Sequence, residues 1–277
     1  MKLKKKAFVN FILNIIFILC LIVFLHSFLS IIKWEKDNRM TTEKINNLQD
    51  MVNIKEDADI DEKQIILFGH EDEDDNSNYW YYASMNMIDV NLDKLVSQNN
   101  DTRGWISVGG TDINYPFVQS SDNKFYLNRS FDKTYNDAGW VFLDYRNNIN
   151  NLSKNNILYA HARVDRTMFG SLRNVLKNEW LKNKDNHVIK LSTLNENSLW
   201  QIFSVYSLET ESYYITTEFK NDADFQKYVN KSLERSRFDF NVNLNVNDII
   251  LTLSTCHGEK KKLVVHAKLI KKEIKNP

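Results

Sequence analysis

Residues 7–32 form an almost unbroken apolar run, and no other feature limits the possible folds of this chain so strongly. At about 1.5 Å per residue, a helix over this run is long enough to cross a bilayer core about 30 Å thick. Four of the first six residues are lysines, so the positive-inside tendency places the N-terminus in the cytoplasm. A cleaved signal peptide is the competing interpretation, but the run is too long and residues 31–34 lack a small-x-small cleavage pattern. The sequence predicts an uncleaved, single-pass anchor in the cell membrane, with everything after about Lys33 on the extracellular face.

The rest of the chain divides into a linker region and a folded domain. We predict a cytoplasmic tail over 1–6, the anchor over 7–32, a linker and N-terminal helical region over 33–89, and a folded domain over 90–277. Apolar residues at mostly helical spacing predict a helix over 35–53. The acidic, polar stretches that follow are typical of a solvated linker rather than of a calcium site. With 36 basic and 36 acidic residues, the charge balance gives no case for nucleic acid as a partner.

Short β-branched runs recur along the folded domain. The strand candidates are residues 104–108, 113–118, 139–144, 156–159, 188–191, 199–206, 249–254 and 263–270. Helices are predicted over 91–98, 167–176 and 222–234, the last with Asn221 as its N-cap. Eight closely spaced strands with few helices favour a mostly β fold. The prediction is a closed eight-stranded β-barrel with a few peripheral helices, preceded by an N-terminal transmembrane helix.

Residues 248–270 read as two strands joined by a short polar turn, and Cys256 lies where the first strand stops. In a regular strand, Ser254 and Cys256 share a face that becomes polar toward the cysteine, while the other face is apolar and suited to a core. A buried structural cysteine is the alternative to a nucleophile. The chain has two cysteines, and Cys20 lies within the apolar run. Cys256 is therefore the one thiol of the exported domain, and an unpaired exported cysteine indicates a reactive thiol.

A cysteine nucleophile needs a partner that accepts its proton, and histidine is the usual one. Among the exported histidines, His161 ends a predicted strand much as Cys256 does, which makes it the best candidate base. His257 is the neighbour of the cysteine, but adjacent side chains of an extended chain point apart. The other histidines are interpreted as non-catalytic: His70 as a solvated linker residue, His187 as a surface residue and His266 as a structural histidine with its hydrogen bonds satisfied. Acyl transfer also requires donors to the developing oxyanion, for which Lys260, Lys261, Lys262 and backbone amides near the cysteine are candidates.

Several motifs in the folded domain occur in an order that resembles one known family. The motifs are TLSTC at 252–256, LVVHAKL at 263–269, GWI at 104–106, NYPFVQ at 114–119, FLDYRN at 142–147, ILYAH at 157–161, TMF at 167–169 and YYITTEF at 213–219. The first two resemble the active-site strand pair of the sortases, and the others resemble segments of class B sortases. The resemblance extends from about Val90 to the C-terminus.

This resemblance implies a membrane-anchored cysteine transpeptidase. Its thiolate cleaves a C-terminal sorting signal after threonine, forms a thioacyl enzyme and passes the acyl group to a cell-wall amine. The implied partners are exported proteins that bear such a signal, an amine of peptidoglycan or of a lipid-linked precursor, and the membrane. Residue by residue, Cys256 matches the nucleophile and His161 the general acid/base. The class B groove positions match Asn114, Val118, Tyr159, Thr210, Tyr214, Ile215 and Ser254. No cluster in the sequence has metal-ligand spacing, so we expect no metal and no cofactor.

Two positions depart from the family pattern. Ala160 replaces the glycine of the family's Tyr-Gly-His, and its methyl group is tolerable unless the backbone needs a positive φ there. Lys262 stands where the family has an arginine, so it keeps the charge but loses the bidentate fork. We assign the oxyanion-binding or substrate-clamping role to Lys262, with Lys260 and Lys261 as rivals.

The sequence leaves two alternative functions open. A pilin-polymerising sortase would use a lysine side chain as its acceptor instead of a wall peptide. The missing arginine also motivates a catalytically weakened, membrane-tethered relative that binds peptides without turning them over.

Overall fold

A computed structural model of the chain describes residues 2–56, 65–69, 77–209, 211–257 and 261–275, with the backbone alone for residues 2–7, 9, 77, 256 and 257. The α-helices are α1 Lys2–Asp50, α2 Ser77–Ala83, α3 Asp93–Gln98, α4 Asn178–Lys182 and α5 Asp222–Arg235. The strands are β1 Ile54–Glu56, β2 Ile65–Leu67, β3 Ile88–Val90, β4 Thr102–Val108, β5 Asn114–Val118, β6 Phe142–Leu143, β7 Asn155–Tyr159, β8 Val188–Thr193, β9 Glu196–Glu209, β10 Ile250–His257 and β11 Lys261–Ile274. Short 3₁₀ helices cover Phe125–Leu127, Gly170–Leu176, Lys184–Asn186 and Tyr213–Ile215.

Eight strands close into a barrel in the order β10, β7, β6, β5, β4, β8, β9 and β11, with β11 pairing back onto β10. The β10–β7 and β5–β6 pairs are parallel, and the other pairs of the ring are antiparallel. This confirms the predicted closed eight-stranded barrel. The short strand β2 adds to β11 outside the ring, while β1 pairs with β3 in a separate small sheet. Of the predicted strand 139–144, only β6 pairs with its neighbours.

Large aromatic side chains fill the barrel. Trp105, Trp140 and Trp200 are almost completely buried. Each indole N–H still has an acceptor: Asn114 Oδ1 at 2.6 Å for Trp105, the Pro116 carbonyl at 2.8 Å for Trp140 and Ser198 Oγ at 2.9 Å for Trp200. The core therefore gains the large apolar surface of tryptophan without the cost of an unsatisfied buried donor.

The predicted anchor and the predicted helix 35–53 form one continuous helix, α1, of 49 residues. Within the described part of the chain, α1 is the helix that is long and apolar enough to cross a membrane. Its apolar residues from Phe11 to Ile32 are exposed, whereas Ile45 and Leu48 are buried in the barrel's hydrophobic core. No proline or glycine interrupts residues 2–50, so nothing in the local sequence breaks the helix between its two environments.

The helix predicted over 222–234 is confirmed as α5, and Asn221 caps it by accepting a hydrogen bond from the Asp224 N–H at 2.9 Å. The helix predicted over 167–176 is replaced by a turn and the shorter 3₁₀ helix Gly170–Leu176. Met168 has a φ of 52°, which no right-handed helix accommodates. A side chain at Gly170 would clash with the Arg163 carbonyl, so this turn requires glycine.

The prediction of a surface position for His187 is wrong. This side chain is buried, with Nε2 donating to the Leu181 carbonyl at 2.9 Å and Nδ1 accepting from the Tyr82 hydroxyl at 2.9 Å. Tyr79 and Tyr82 of α2 are also buried against the barrel. Burial lowers the pKa of His187, which keeps the ring neutral. The predicted surface position failed because α2 covers this edge of the barrel.

Candidate active site

A cleft of about 430 Å³ opens at one end of the barrel. Its walls come from β6, β7, β10 and β11, from the Phe125–Leu127 turn and from the Tyr213–Ile215 turn. The lining residues are Asn123, Leu127, Phe142, Tyr159, Ala160, His161, Tyr214, Ile215, Ser254, Thr255 and Lys262. Apolar and aromatic walls with a few polar groups are typical of a site that binds a peptide or another small ligand.

The backbone of Cys256 lies between the strand that leads into His161 and the strand that carries Lys262. Cys256 is the direct cross-strand partner of Lys262 in the β10–β11 ladder. On the other side of β10, Ser254 pairs with Tyr159 of the parallel strand β7. Cys256 and His161 each follow two residues after that pair. Because neighbouring parallel strands advance in step, the register places the cysteine and the histidine at the same end of adjacent strands.

His161 is held by the turn across the cleft. Its Nε2 lies 2.7 Å from the Leu127 carbonyl oxygen. A carbonyl only accepts hydrogen bonds, so Nε2 carries a proton, and in the neutral ring Nδ1 is the basic nitrogen. The Leu127 carbonyl thus fixes one tautomer and one orientation of the His161 ring. Ala160 before it has no positive φ, so the exchange of the family's glycine for alanine strains nothing here.

The structure distinguishes among the three candidate lysines. Lys262 is partly buried and lines the cleft. Lys261 is exposed and pairs with His257 on β10. Successive side chains of a strand point to opposite faces, so these two lysines cannot both face the cleft. Lys260 lies outside the described residues.

Four predicted groove residues, Tyr159, Tyr214, Ile215 and Ser254, line the cleft together. The Tyr214 and Ser254 hydroxyls lie 3.2 Å apart, which links the Tyr213–Ile215 turn to β10. Two further predicted groove residues, Asn114 and Val118, do not line the cleft. Asn114 accepts from the Trp105 indole, and Val118 is completely buried in the core.

Thr210, the remaining predicted groove residue, lies outside the described residues. The assignment of groove roles therefore stays a prediction, with cleft geometry in its favour for four of the seven positions.

Sequence reasoning missed a buried carboxylate beneath the cleft. Asp144 is fully buried and binds Arg146 through two hydrogen bonds, Nε to Oδ1 at 2.8 Å and Nη2 to Oδ2 at 2.7 Å. It also accepts from the Tyr159 hydroxyl and from Asn123 Nδ2, each at 2.9 Å. Arg146 in turn donates to the Ile215 carbonyl at 2.9 Å. One ion pair thus holds three cleft residues, and the Asp-x-Arg spacing within FLDYRN was its signal in the sequence.

The carboxylate is kept ionised despite its burial. Burial by itself raises the pKa of Asp144, but hydrogen bonds from Arg146, Tyr159 and Asn123 outweigh it and leave the pKa below its usual value. Burial, together with the neighbouring Asp144, raises the pKa of Tyr159. The pair therefore stays charged, and the tyrosine stays protonated as a donor, at any physiological pH.

A second buried network supports the opposite wall. Asn155 Nδ2 donates to the carbonyls of Tyr214 and Thr216, at 3.2 and 2.9 Å, so its Oδ1 must face Thr252. The Thr252 hydroxyl donates to that oxygen at 2.6 Å and therefore accepts from His266 Nδ1 at 2.8 Å. These contacts fix the tautomer of His266 and attach the Tyr213–Ile215 turn to the barrel.

His266 is a structural residue. Its Nε2 accepts from the Tyr206 hydroxyl at 2.7 Å, and the ring stacks on Phe203 with a centroid distance of 5.8 Å. The side chain is fully buried, and burial lowers the pKa of His266 to about 3. A ring that takes up no second proton near neutrality is no acid catalyst, which agrees with the structural interpretation of this histidine.

Known proteins are similar to this chain in sequence and in fold. Residues 106–270 match the sortase domain family. The sortase B of Staphylococcus aureus (strain NCTC 8325 / PS 47) is 34% identical over 227 residues, which are 75% of this chain and 92% of that protein. The sortase B of Listeria monocytogenes serovar 1/2a is 37% identical over 185 residues, which are 65% of this chain and 74% of that protein.

Solved structures agree. The Staphylococcus aureus sortase B–substrate complex superposes with a TM-score of 0.61 at 37% identity, covering 65% of this chain and 84% of that one. The Bacillus anthracis sortase B in complex with AAEK1 superposes with a TM-score of 0.65 at 29% identity, covering 87% of this chain and 99% of that one. The barrel, the cleft at the strand ends and these likenesses define a cysteine transpeptidase fold, and the chain belongs to the sortase family. Within that family it is of the sortase B type.

Proposed function

We propose that this sortase is a single-pass membrane enzyme that attaches exported proteins to the cell wall. The cut falls after threonine in a C-terminal sorting signal, and the acceptor is an amine of peptidoglycan or of a lipid-linked precursor. The observation that carries the proposal is the strand register, in which Cys256 pairs with Lys262 and in which Cys256 and His161 each follow two residues after the Ser254–Tyr159 pair. Relatives add support: sortase B of Staphylococcus aureus has been solved as a substrate complex, and a sortase B has been solved in complex with triglycine.

The first half of the reaction forms a thioester on Cys256. The thiol proton passes to His161, whose Nδ1 is the basic nitrogen because Nε2–H is bound to the Leu127 carbonyl. The thiolate sulfur attacks the threonine carbonyl carbon, and the oxyanion that develops is stabilised by the Lys262 ammonium group. His161 then returns the proton to the leaving amine, and the C–N bond breaks.

The second half reverses these proton transfers with a different amine. An incoming amine attacks the thioester carbon while His161 removes its proton, and the restored thiolate leaves. The cleft walls at Tyr159, Tyr214 and Ile215 bind the peptide that precedes the scissile bond.

The anchor in the proposal is α1, with the N-terminus in the cytoplasm and the barrel on the extracellular face. Its apolar half supplies the span, and the four lysines near the N-terminus supply the orientation.

Mass spectrometry of the acyl adduct on Cys256 tests the proposed function. Cells expressing the wild-type chain are quenched with acid, and the peptide that contains Cys256 is analysed beside that of the Cys256→Ala variant. We expect adducts on the wild type whose acyl group ends in threonine, and none on the variant. Adducts that end in another residue would overturn the cleavage site. Wall attachment of the same exported proteins in Cys256→Ala cells would overturn the nucleophile.

A further inference from the structure

The helix α1 passes from its apolar run directly into contacts with the barrel. Lys33, one residue beyond the run, binds Asp137 through Nζ and Oδ2 at 3.0 Å. Further along, Lys44 binds Asp132 at 2.6 Å, and Ile45 is buried in the core. Because the helix is continuous and packs on the barrel at several points, it sets the orientation of the barrel relative to the apolar run.

These contacts show which part of the domain lies nearest the end of the apolar run. Lys33 and Lys44 are about 16 Å apart along a helix that rises about 1.5 Å per residue. Their partners Asp137 and Asp132 belong to the same loop, so this loop runs toward the apolar run as it passes from Asp132 to Asp137. Asp137 is within the length of one lysine side chain of the run's last residues.

Exposed apolar side chains gather on that part of the domain, beside the cleft. We define the apolar rim as Phe125, Leu127, Arg129, Tyr135 and Val164. Tyr135 is 61% exposed and Val164 is 77% exposed. The Arg129 guanidinium lies over the rings of Phe125 and Tyr135, at 5.8 and 5.5 Å from their centroids, so these three side chains form one continuous surface.

The rim is tied to the end of the apolar run by a shared carboxylate. The Tyr135 hydroxyl donates to Asp137, whose other oxygen accepts from Lys33. Val164 follows Arg163, which donates to Asn38 on α1. Three carboxylates beside the rim are neutralised by basic side chains: Asp132 by Lys44, Asp137 by Lys33 and Asp165 by Arg163.

We propose that the apolar rim is a membrane-contact surface that seats in the headgroup layer of the leaflet from which α1 emerges. Tyrosine and tryptophan favour this layer, and the Arg129 guanidinium can pair with lipid phosphates there. Trp34, exposed on α1 next to Lys33, lies at the same level. The inference rests on the membrane anchor of the proposed function. Weak intrinsic affinity is enough, because α1 already holds the rim at a high effective concentration near the lipid.

This contact has a consequence for the cleft. Leu127 belongs both to the rim and to the cleft lining, and its carbonyl holds His161. When the rim contacts the membrane, the mouth of the cleft therefore lies beside the bilayer surface. The enzyme would then receive sorting signals from proteins that are still attached to the membrane, more readily than from soluble ones.

Spin-label accessibility of the full chain in vesicles tests the contact. The two cysteines are replaced in a Cys20→Ala, Cys256→Ala background, and single labels are placed at Tyr135→Cys and Val164→Cys. Leu194→Cys and Ile274→Cys are matched controls, since both are exposed apolar residues. Ile274 is roughly 40 Å from Lys262 along β11, and Leu194 adjoins Asn195, which bonds Lys275. A label at Ile22→Cys reports on the anchor itself.

In vesicles of phosphatidylglycerol and phosphatidylcholine, the relaxing agents are oxygen, which partitions into lipid, and a water-soluble nickel complex. We expect the labels at 135 and 164 to give oxygen-to-nickel ratios between those at 22 and those at the two controls. Ratios at 135 and 164 equal to the controls, with a lipid-like value at 22, overturn the rim contact and leave the anchor intact. A water-like value at 22 overturns both.

Turnover of two forms of one peptide separates lipid contact from peptide contact. The peptide carries a sorting signal identified on Cys256 and is presented either free in solution or attached to a lipid in the same vesicles. We expect Tyr135→Glu and Val164→Glu to lower turnover of the lipid-attached form by about tenfold and to leave the soluble form within about twofold. Equal loss for both forms would mean that the rim binds the peptide, which overturns the proposal.

Discussion

The hydroxyl of Tyr159, in the wall of the cleft, donates at 2.9 Å to the carboxylate of Asp144, which is completely buried. The same carboxylate holds the guanidinium of Arg146, which reaches on to the Ile215 carbonyl. A single acidic residue that never reaches the cleft thus positions two of its walls, and its removal would leave a guanidinium and a tyrosine without their acceptor.

Asp144→Ala is expected to lower the free energy of unfolding by about 1 to 3 kcal/mol, because it removes the buried acceptor of the Tyr159 hydroxyl and the Asn123 amide, whereas the exposed Arg146 guanidinium can turn to water. Tyr159→Phe removes one hydrogen bond and keeps the ring, so about 1 kcal/mol is expected. Urea unfolding of the full chain in detergent measures both. Equal losses in the two variants would show that the ion pair itself contributes nothing.

Lys262→Ala is expected to lower kcat/KM by about 10²- to 10³-fold, the usual effect of losing one oxyanion donor. Lys262→Arg should keep the activity within about tenfold, because the charge remains beside Cys256. Lys261→Ala is the matched control, since this neighbouring lysine is exposed and lies on the other face of β11. If Lys262→Ala stays as active as Lys261→Ala, the ammonium group has no role in catalysis.

The buried histidine His266 predicts how stability depends on pH. Its pKa is about 3 in the folded protein against 6.5 normally, so below pH 6.5 the unfolded chain binds a proton that the folded chain does not. The stabilisation is fully present above about pH 6.5 and is lost as the pH falls toward 3, with a slope approaching about 1.4 kcal/mol per pH unit. Burial also lowers the pKa of His187, which adds to this slope in the same direction.

Unfolding measured from pH 7 to 4.5, before most carboxylates titrate, gives this slope directly. His266→Gln should be less stable at pH 7 but should show a flatter dependence, and His187→Gln should flatten it by a separate increment. An unchanged slope in both variants would mean that neither ring is neutral in the folded chain.

Ala160→Gly should leave kcat/KM within about twofold, because the backbone at this position has no positive φ that alanine would strain. The glycine should instead lower the free energy of unfolding by about 0.4 to 1 kcal/mol, because it raises the conformational entropy of the unfolded chain. A marked gain in activity would contradict this account and would mean that the methyl group narrows the cleft.

Local patterns were enough to predict much of this protein. The apolar run, the alternation in strands such as β4 and β10, and the Asn221 cap depend on neighbouring residues, and the structure confirms the barrel and α5. The pairing of Cys256 with His161 stays a prediction, made because the sequence places each residue at the end of a predicted strand. In all these cases the signal lies within a few residues of the chain.

The remaining features of the site depend on how the barrel closes and on what packs around it. Which of three consecutive lysines faces the cleft depends on the β10–β11 register, and whether Asn114 and Val118 reach it depends on how β5 packs. The burial of His187 depends on α2, which comes from about 100 residues earlier in the chain. The Asp144–Arg146 pair becomes part of a site only when β7 and the Tyr213–Ile215 turn pack around it. Such contacts join residues distant in sequence, so no local periodicity encodes them, and only the folded chain brings the groups within hydrogen-bonding distance.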